Sequence, residues 1–368
     1  MSKVKLGDVA IEHKETCKGS KDGYPIVGLE HLIPEEVTLT AWDEGSDNTF
    51  TKMFRKGNVL FGRRRAYLKK AAVAPFDGIC SGDITVIEAI PDRILPELLP
   101  FIIQNDELFD FAVGKSAGSL SPRVKWEHLK NYEFELPDMD KQRELAELLW
   151  AMDATKKSYQ KLIAATDELV KSQFIERFGK PGTDPFRWGL TTLGKCCELN
   201  PRKPKGINTD DSYSFVAMPS VSEDGRIDAS VERPYAEVCK GFTYFAENDV
   251  LFAKITPCME NGKGGVAKGL KNGVGFGSTE FHVLRPIKGV SDPYWLYIIT
   301  MFSKFRSDAE KVMTGTGGQR RVPITYLSEY SITLPPIELQ EQFAAFVRQS
   351  DKSKFELEQA LSELTATY

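Results

Sequence analysis

The residues best suited to chemistry in this sequence are cations that could bind phosphate. The run from Lys52 to Lys70 contains no acidic residue, and Gly62 ends a predicted strand within it. A loop at that point could approach a nucleic-acid duplex closely, although a solvated basic face is the simpler interpretation. The net charge of −4 gives no general preference for nucleic acid, so such a site would be local. The residues predicted to bind DNA here are Lys52, Arg55, Arg63, Arg64, Arg65 and Lys69.

A second polar, Gly-rich stretch follows another predicted strand in the second half of the chain. Its candidate DNA-binding residues are Lys254, Thr256, Asn261 and Lys263. Arginine reads guanine and asparagine reads adenine in the major groove. Different donors at equivalent loops are therefore what two domains reading two different sequences would need.

Two further loops, rich in small residues, precede Leu-Pro segments. Small residues let backbone amides reach phosphates, although plain glycine turns are an equally simple interpretation. The predicted contacts are Ser119, Ser121 and Arg123 in loop 118–123, and Thr316, Gln319, Arg320 and Arg321 in loop 315–321, which also contains Gly317.

Motifs for catalysis are incomplete. Gly189 to Lys195 fits a Gly-x4-Gly-Lys pattern, but Cys196 stands where a phosphate-binding loop needs Ser or Thr for Mg²⁺. Leu334-Pro335-Pro336-Ile337 lacks the amide or carboxylate of an amino-methyltransferase motif, and Glu12-His13-Lys14 lacks the upstream Pro-Asp of a nuclease. We therefore expect no catalytic residue and no cofactor on this chain.

Cysteine and histidine spacing predicts no metal site. The six cysteines contain no Cys-x-x-Cys pair, and the four histidines, His13, His31, His128 and His282, are scattered. The cysteines are therefore expected to be reduced thiols. The sequence has no signal-peptide core, and no apolar run approaches the roughly 20 residues of a membrane span. These features favour a cytoplasmic protein without membrane contact.

A long helix is expected to position these loops. Between Leu136 and Gly179, apolar residues recur every three or four positions and form a narrow seam on a helix roughly 55 to 60 Å long. Such a seam favours packing against another helix, whereas the alternative is a solvated linker helix. The seam residues are Leu145, Leu149, Met152, Tyr159, Ile163, Thr166 and Val170.

The C-terminus repeats this design. Leu334 to Gln342 follows the pattern of Leu136 to Glu144, with Leu-Pro first and Gln six residues after the Leu. The simplest closed arrangement is an antiparallel coiled coil with a globular domain at each end. The second seam is Leu339, Phe343, Phe346 or Val347, Ser350, Leu357, Leu361 and Leu364.

The globular stretches also repeat. In each half a turn and strand (54–61, then 245–252) precede a second strand, near 84–87 and 278–281, and a helix, at 97–111 and 294–312. The prediction is an α+β protein with a pseudo-twofold internal repeat. Its globular domains span 1–136 and 181–335, and its long helices span 137–180 and 336–368.

This combination resembles the DNA-specificity subunits of Type I restriction-modification systems. The motifs are Gly57-Asn58-Val59-Leu60-Phe61 and Asn248-Asp249-Val250-Leu251-Phe252, each followed by a Gly/Ser-rich loop, Leu-Pro-x-x-x-x-Gln and a long helix. The resemblance covers essentially the whole chain. Departures are Asn58, where the family often has Asp, and Asp138, where the second copy has Pro336.

The resemblance implies a non-catalytic, sequence-specific subunit of a phage-defence complex. Two α/β target-recognition domains would read a bipartite, asymmetric double-stranded DNA target with a fixed spacer. The helices would hold two adenine methyltransferase subunits, joined by restriction translocase subunits. S-adenosylmethionine, ATP and Mg²⁺ would then bind those partners.

Two other functions remain open from the residues alone. One is a coiled-coil adaptor that bridges two proteins and does not touch DNA. The other is a standalone nuclease. DNA binding with and without a methyltransferase separates the first from a specificity subunit, and DNA cleavage by the purified chain tests the second.

Overall fold

The computed structural model describes residues 2–45, 48–316 and 318–367. Gly317 of the second predicted small-residue loop, and the terminal residues 1 and 368 of the predicted domains, lie outside the described residues. Two compact units are present, one formed by Met1–Ser158 with Glu363–Tyr368 and the other by Tyr159–Ser362. The division falls within the long central helix, and each unit is described by itself below.

The first unit combines short strands with short helices. Its strands are too short for a long continuous sheet, and Gly, Pro and Asn separate them. The elements are β1 (Ser2–Lys5), α1 (Leu6–Val9), β2 (Ala10–Glu12), β3 (Ile26–Val27), β4 (Lys52–Phe54), β5 (Val59–Gly62), β6 (Ala71–Val73), β7 (Gly78–Cys80), β8 (Ile84–Ala89), α2 (Leu99–Ile103), α3 (Asp106–Gly114), α4 (Trp126–Leu129) and β9 (Glu133–Leu136), followed by the long helix α5 (Met139–Phe178).

Two sheets organise the first unit. An antiparallel sheet has the order β2-β8-β5-β6, and a mixed sheet has the order β3-β7-β4, in which β3 is parallel to β7. Strands β1 and β9 pair separately. The inner strand β5 is buried along its whole length, and its Phe61 stacks on Phe109 of α3 with ring centroids 5.5 Å apart. Helices α2 and α3 thus cover one face of the antiparallel sheet.

The second unit repeats this order of elements and adds one strand, β13, and one short helix, α7. They are β10 (Leu190–Thr192), α6 (Leu193–Cys196), β11 (Cys197–Leu199), β12 (Ser212–Val216), β13 (Glu232–Pro234), α7 (Tyr235–Val238), β14 (Thr243–Ala246), β15 (Val250–Ala253), β16 (Gly264–Val266), β17 (Val274–Gly277), β18 (Phe281–Pro286), α8 (Pro293–Met301), α9 (Ser303–Lys311), α10 (Ile324–Glu329), β19 (Ser331–Thr333) and the long helix α11 (Ile337–Thr367).

Its sheets follow the strand order of the first unit. The antiparallel sheet is β11-β18-β15-β16, the mixed sheet is β13-β12-β17-β14 with β12 parallel to β17, and β10 pairs with β19. Strand β13 extends the mixed sheet beyond its counterpart in the first unit. Phe252 of β15 meets Phe305 of α9 edge to face at 5.8 Å, at the position where Phe61 stacks on Phe109 in the first unit. The α+β class expected from sequence is confirmed by this mixture of helices and sheets.

Each helix predicted after the second strand is in fact two helices. The 97–111 prediction corresponds to α2 and α3, which are separate because the Asn105 side chain caps α3 by accepting the Glu107 N–H at 2.8 Å. The 294–312 prediction corresponds to α8 and α9, which are separated at Phe302 by extended backbone. The periodic pattern of apolar residues continues through both breaks, so the sequence predicted one helix at each place.

The long helices run antiparallel in the second unit. α5 has 40 residues and is therefore about 60 Å long. Phe343 of α11 packs against Phe174 and Phe178 of α5, with ring centroids 5.5 and 5.4 Å away. Further along α11, Lys354 Nζ lies 2.9 and 3.0 Å from the two carboxylate oxygens of Asp167. No described helix combines the length and the hydrophobicity that a membrane crossing requires.

Candidate nucleic-acid interface

A tight turn sets the start of the inner strand in both units. Gly57 (φ 89°) and Asn248 (φ 69°) have left-handed backbone, which Gly and Asn tolerate best. The next side chain closes the turn. Asn58 Oδ1 accepts the Arg55 N–H at 2.8 Å, and Asp249 Oδ2 accepts the Ala246 N–H at 2.7 Å. The Gly-Asn and Asn-Asp motifs therefore place β5 and β15, whose far ends lead into the predicted loops.

The residue that the neighbouring strand places opposite this position differs between the two units and explains why Asn58 and Asp249 differ. Arg285 of β18 donates two hydrogen bonds, of 2.8 and 2.7 Å, to the carboxylate of Asp249. Glu88 occupies the matching register position of β8 and accepts a 2.7 Å hydrogen bond at Oε2 from the ring of His13. An amide at position 58 avoids placing two carboxylates together.

Backbone hydrogen bonds join three segments at the end of β5. Gly62 pairs with Ile84 at the start of β8, so the loops beyond these residues share one sheet edge. The Arg63 N–H donates to the Asp83 carbonyl at 3.0 Å, and the Val124 N–H donates to the Arg63 carbonyl at 3.0 Å. Loop 118–123 is thereby held against loop 63–70.

Side chains reinforce this junction around Asp83. Arg123 Nε lies 2.7 Å from Asp83 Oδ1, and Arg64 Nη1 lies 3.3 Å from Oδ2. Arg64 Nε also donates to Ser121 Oγ at 2.9 Å. The Arg123 guanidinium, and secondarily Arg64, hold the pKa of the Asp83 carboxyl below its ordinary value. Two predicted DNA contacts, Arg64 and Arg123, thus converge on one carboxylate, and a third, Ser121, bonds to Arg64.

Although the run 52–70 contains no acidic residue, the folded surface around it does. Distant parts of the chain bring carboxylates to it, since Arg55 pairs with Glu15 and with Asp77 at 2.9 Å, and Lys69 pairs with Asp106 at 2.6 Å. Lys52 donates to the Ile84 carbonyl at 2.8 Å. Lys52 belongs to β4 and Arg55 directly follows that strand.

Arg65 keeps its charge available to solvent. Its side chain is exposed and has no ion pair among the residues that the structure describes. The backbone is left-handed at φ 54°, and its N–H donates to the Pro122 carbonyl at 2.8 Å. Ser119 is exposed, and the Nε atom of Arg63 is buried. An exposed guanidinium on a backbone that is held in place is suited to a phosphate or a base edge.

The second unit builds the same junction with other residues. The Lys254 N–H donates to the Glu280 carbonyl at 2.9 Å, and the Val322 N–H donates to the Lys254 carbonyl at 2.9 Å. Arg321 donates two 2.8 Å hydrogen bonds to the Glu280 carboxylate, and Arg123 correspondingly donates two to Asp83, of 2.7 and 3.3 Å. Burial lowers the pKa of the Lys254 ammonium, despite Glu280 nearby.

Other predicted contacts of the second unit lie around this junction. Thr256 Oγ1 donates to the Arg320 carbonyl at 3.3 Å, and the Arg320 guanidinium lies 3.6 Å from Glu310. Lys263 Nζ donates to the Met218 carbonyl at 3.4 Å. The exposed members are Asn261, Thr316 and Gln319, which leave amide and hydroxyl groups free to face solvent.

Sequence reasoning named the cations but missed the acids that hold them. Asp83 and Glu280 fall at matching places in Ser81-Gly82-Asp83-Ile84 and Ser278-Thr279-Glu280-Phe281, and this match was the available signal. His282 was also unassigned. Its Nε2 donates to the Val322 carbonyl at 2.8 Å and its Nδ1 accepts from Asn200 Nδ2 at 3.2 Å, so it ties the junction to β18 as a neutral ring.

Among the residues that the structure describes, one group of potential metal ligands lies in the first unit. Glu30, His31 and Asp43 place one ligand atom each within 4.8 Å of one another. However, His31 Nδ1 accepts the Gly28 N–H at 2.9 Å, so Nε2 carries the ring proton and faces Asp43 at 3.5 Å. A protonated Nε2 cannot bind a metal, and the contacts describe a hydrogen-bonded cluster.

Comparisons with known proteins agree with this architecture. A family model described as the Type I restriction modification DNA specificity domain matches residues 1–165 and 187–365. The Type I restriction enzyme EcoEI specificity subunit of Escherichia coli is 40% identical over 159 residues, which are 43% of this chain and 26% of that protein. The EcoAI specificity subunit of Escherichia coli is 38% identical over 165 residues, 44% of this chain and 28% of that protein. The matched part thus spans little more than a quarter of these curated relatives.

A solved structure extends the likeness to the fold. The Type I restriction-modification system S subunit from M. genitalium has a TM-score of 0.57 and 12% identity, and the match covers 100% of this chain and 93% of that chain. At that identity the likeness concerns the fold alone. The family match, in contrast, covers both units and their sequence motifs. The chain therefore belongs to the family of Type I restriction-modification DNA specificity proteins.

Proposed function

We propose that this chain supplies DNA sequence recognition to a Type I restriction-modification complex, each unit reading one half of a bipartite, asymmetric target. The observation that carries the proposal is the repeated junction, Arg123 with Asp83 and Arg321 with Glu280, at equivalent sheet edges. Exposed donors differ around it, with Arg65 in the first unit and Asn261 in the second. Shared scaffolds with different donors fit two different half-sites.

The recognition domains would comprise 1–136 and 181–335, and the long helices 137–180 and 336–368. Antiparallel packing of Phe343 on Phe174, together with the Lys354–Asp167 ion pair, supports pairing of the helices as a coiled coil within a tandem repeat. The observed helix limits, Met139–Phe178 and Ile337–Thr367, lie close to these boundaries.

The long helices would hold two methyltransferase subunits, with restriction translocase subunits joining them. Large apolar side chains are exposed on α5 at Leu148, Leu162 and Leu169, and on α11 at Phe355, which favours protein partners. In this proposal the chain is non-catalytic, and S-adenosylmethionine, ATP and Mg²⁺ bind the partner subunits.

Methylation mapping tests the function. The full chain is expressed with the methyltransferase subunits from the same source, and methylated adenines are mapped genome-wide. The expected result is one asymmetric motif with two specific blocks and a fixed spacer. A methyltransferase that assembles with this chain but methylates no such motif would contradict it, and a chain that binds the subunits yet no DNA would favour the adaptor.

A further inference from the structure

Arg306 is a buried cation whose partners are all uncharged. It lies on α9 with 8% of its surface exposed, and its guanidinium donates to the carbonyl of Met259 and, at 3.1 Å, to that of Gly262. No ion pair joins it to a carboxylate among residues 2–45, 48–316 and 318–367. Burial lowers its pKa to about 10. An unpaired buried charge is costly, so the fold retains this residue despite a penalty.

The two carbonyls belong to the loop that carries the predicted base-reading donor. Met259 and Gly262 flank Asn261, whose side chain is exposed. The Asn261 N–H donates to Pro257 at 3.0 Å and the Gly262 N–H donates to Met259 at 3.1 Å, which forms a compact turn. Arg306 binds this turn through its two backbone carbonyls, on the side of the turn that is buried.

The guanidinium also fixes the turn to the sheet. Its carbon lies 5.5 Å from the ring centroid of Phe252, a fully buried residue of β15. Phe252 precedes the loop by a few residues, so one side chain connects α9, the inner strand and the loop. The face of an aromatic ring partly compensates the buried charge.

The first unit closes its equivalent loop without such a residue. Phe109 and Phe305 pack on matching phenylalanines, so Asp110 stands where Arg306 does. Loop 63–70 is instead closed by its own backbone, through Leu68 N–H to Arg65 carbonyl and Lys69 N–H to Ala66 carbonyl, both 2.9 Å. This arginine clamp, in which Arg306 binds the carbonyls of Met259 and Gly262, is therefore particular to the second unit.

We propose that Arg306 is a positioning residue that holds the 256–263 loop so that Asn261 can read the second half-site, an inference that rests on the proposed function. A bidentate amide contact to adenine needs close control of position, and a loop free to move would lose discrimination more than general affinity. Arg306 itself does not touch DNA in this arrangement.

Replacement of Arg306 by Met tests this, because Met is apolar, flexible and of suitable length for the buried space. Lys304→Met is the matched control, since Lys304 lies on the same helix with a side chain 72% exposed and loses the same charge. In the full chain, amide hydrogen exchange at Asn261, Gly262 and Lys263 should accelerate at least tenfold in Arg306→Met and stay unchanged in Lys304→Met.

The same variants are then mapped for methylation in the assembled complex. Arg306→Met should accept additional bases in the second half-site and keep the first half-site strict. Unchanged amide exchange overturns the inference, as does equal relaxation of both half-sites. If Arg306→Met unfolds the chain, Arg306→Lys is judged by the same two measurements. Absence of any bipartite methylation with the wild-type chain would instead defeat the proposed function, while the exchange result still judges the clamp.

Discussion

The side-chain amide of Gln340 donates a 2.8 Å hydrogen bond from Nε2 to the carbonyl of Pro335, at the entrance to α11. The same nitrogen lies 3.0 Å from the Val290 carbonyl, and Oε1 accepts the Asp292 N–H at 3.0 Å. Gln340 is completely buried. One side chain thus ties the start of the helix to the segment that follows β18.

Gln142 makes the equivalent contacts in the first unit. Its Nε2 donates to the Pro137 carbonyl at 2.8 Å, and its Oε1 accepts the Leu95 N–H at 2.8 Å. This is the physical reason for the Leu-Pro-x-x-x-x-Gln motif, in which the proline fixes the entry of the chain and the glutamine satisfies buried backbone groups on both sides.

Replacing Gln340 by Leu should lower the free energy of unfolding by roughly 3 kcal/mol, because buried backbone groups lose their partners at about 1 kcal/mol or more each. Gln342→Leu is the control, since Gln342 is exposed on the same helix. Urea denaturation followed by circular dichroism measures both. Equal stability of the two variants would show that the buried amide is dispensable.

Asn58→Asp should destabilise the first unit by roughly 2 to 4 kcal/mol at pH 7, because the new carboxylate is buried without an arginine. Adding Glu88→Arg should recover more than half of the loss by recreating the Asp249–Arg285 pair. A double-mutant cycle of unfolding free energies measures this coupling. Additive effects of the two changes would contradict it.

Asp83→Asn should strengthen non-specific DNA binding and steepen its salt dependence. The change releases Arg64 and Arg123, and each new phosphate contact adds about 0.9 to the slope of log K against log salt. Exposed Asp92→Asn has the same charge change and is the control. Titrations of random-sequence duplex DNA at several salt concentrations measure the slope of log K against log salt for both variants. Equal slopes would show that Arg64 and Arg123 are not released.

Acid should weaken the second unit through His282, because burial lowers its pKa from an ordinary 6.5 to about 4. Between these pH values the unfolded chain binds more protons than the folded one, so stability falls as pH falls through that window, by up to about 3 kcal/mol. His282→Gln should lose this component, and exposed His128→Gln should keep it. Unfolding free energies at pH 7.5 and 4.5 provide the measurement. An unaltered pH dependence in His282→Gln would exclude this assignment.

Sequence reasoning located the elements whose patterns are local. The long helices follow from apolar residues every three or four positions, and the inner strands follow from turn residues ahead of Val59 and Val250. The helix breaks at Asn105 and Phe302 were missed because each depends on one residue inside a continuing apolar pattern. Strand β13 and the other strands of the mixed sheets are too short to show a clear alternation of apolar and polar residues.

The candidate interface was predicted less completely because its charges are paired by tertiary contacts. Glu15 lies forty residues before Arg55 in the chain, and no local pattern joins them. Arg306 offered no signal at all, since its role depends on two carbonyls that only the folded loop brings to it. The types of the hydrogen-bond donors could be read from the sequence. The carboxylates that pair with them in the fold could not.

Two couples of positions that the strand register sets side by side, Asn58 with Glu88 and Asp249 with Arg285, also determine where chimeric proteins can be joined. Each couple spans two neighbouring strands, and both members lie within one unit. A graft that joins the Asp249 turn to the β8 strand of the first unit would separate the members and place a carboxylate beside Glu88. A graft joined within α5 keeps both couples intact, so exchange of a whole recognition unit avoids this electrostatic penalty.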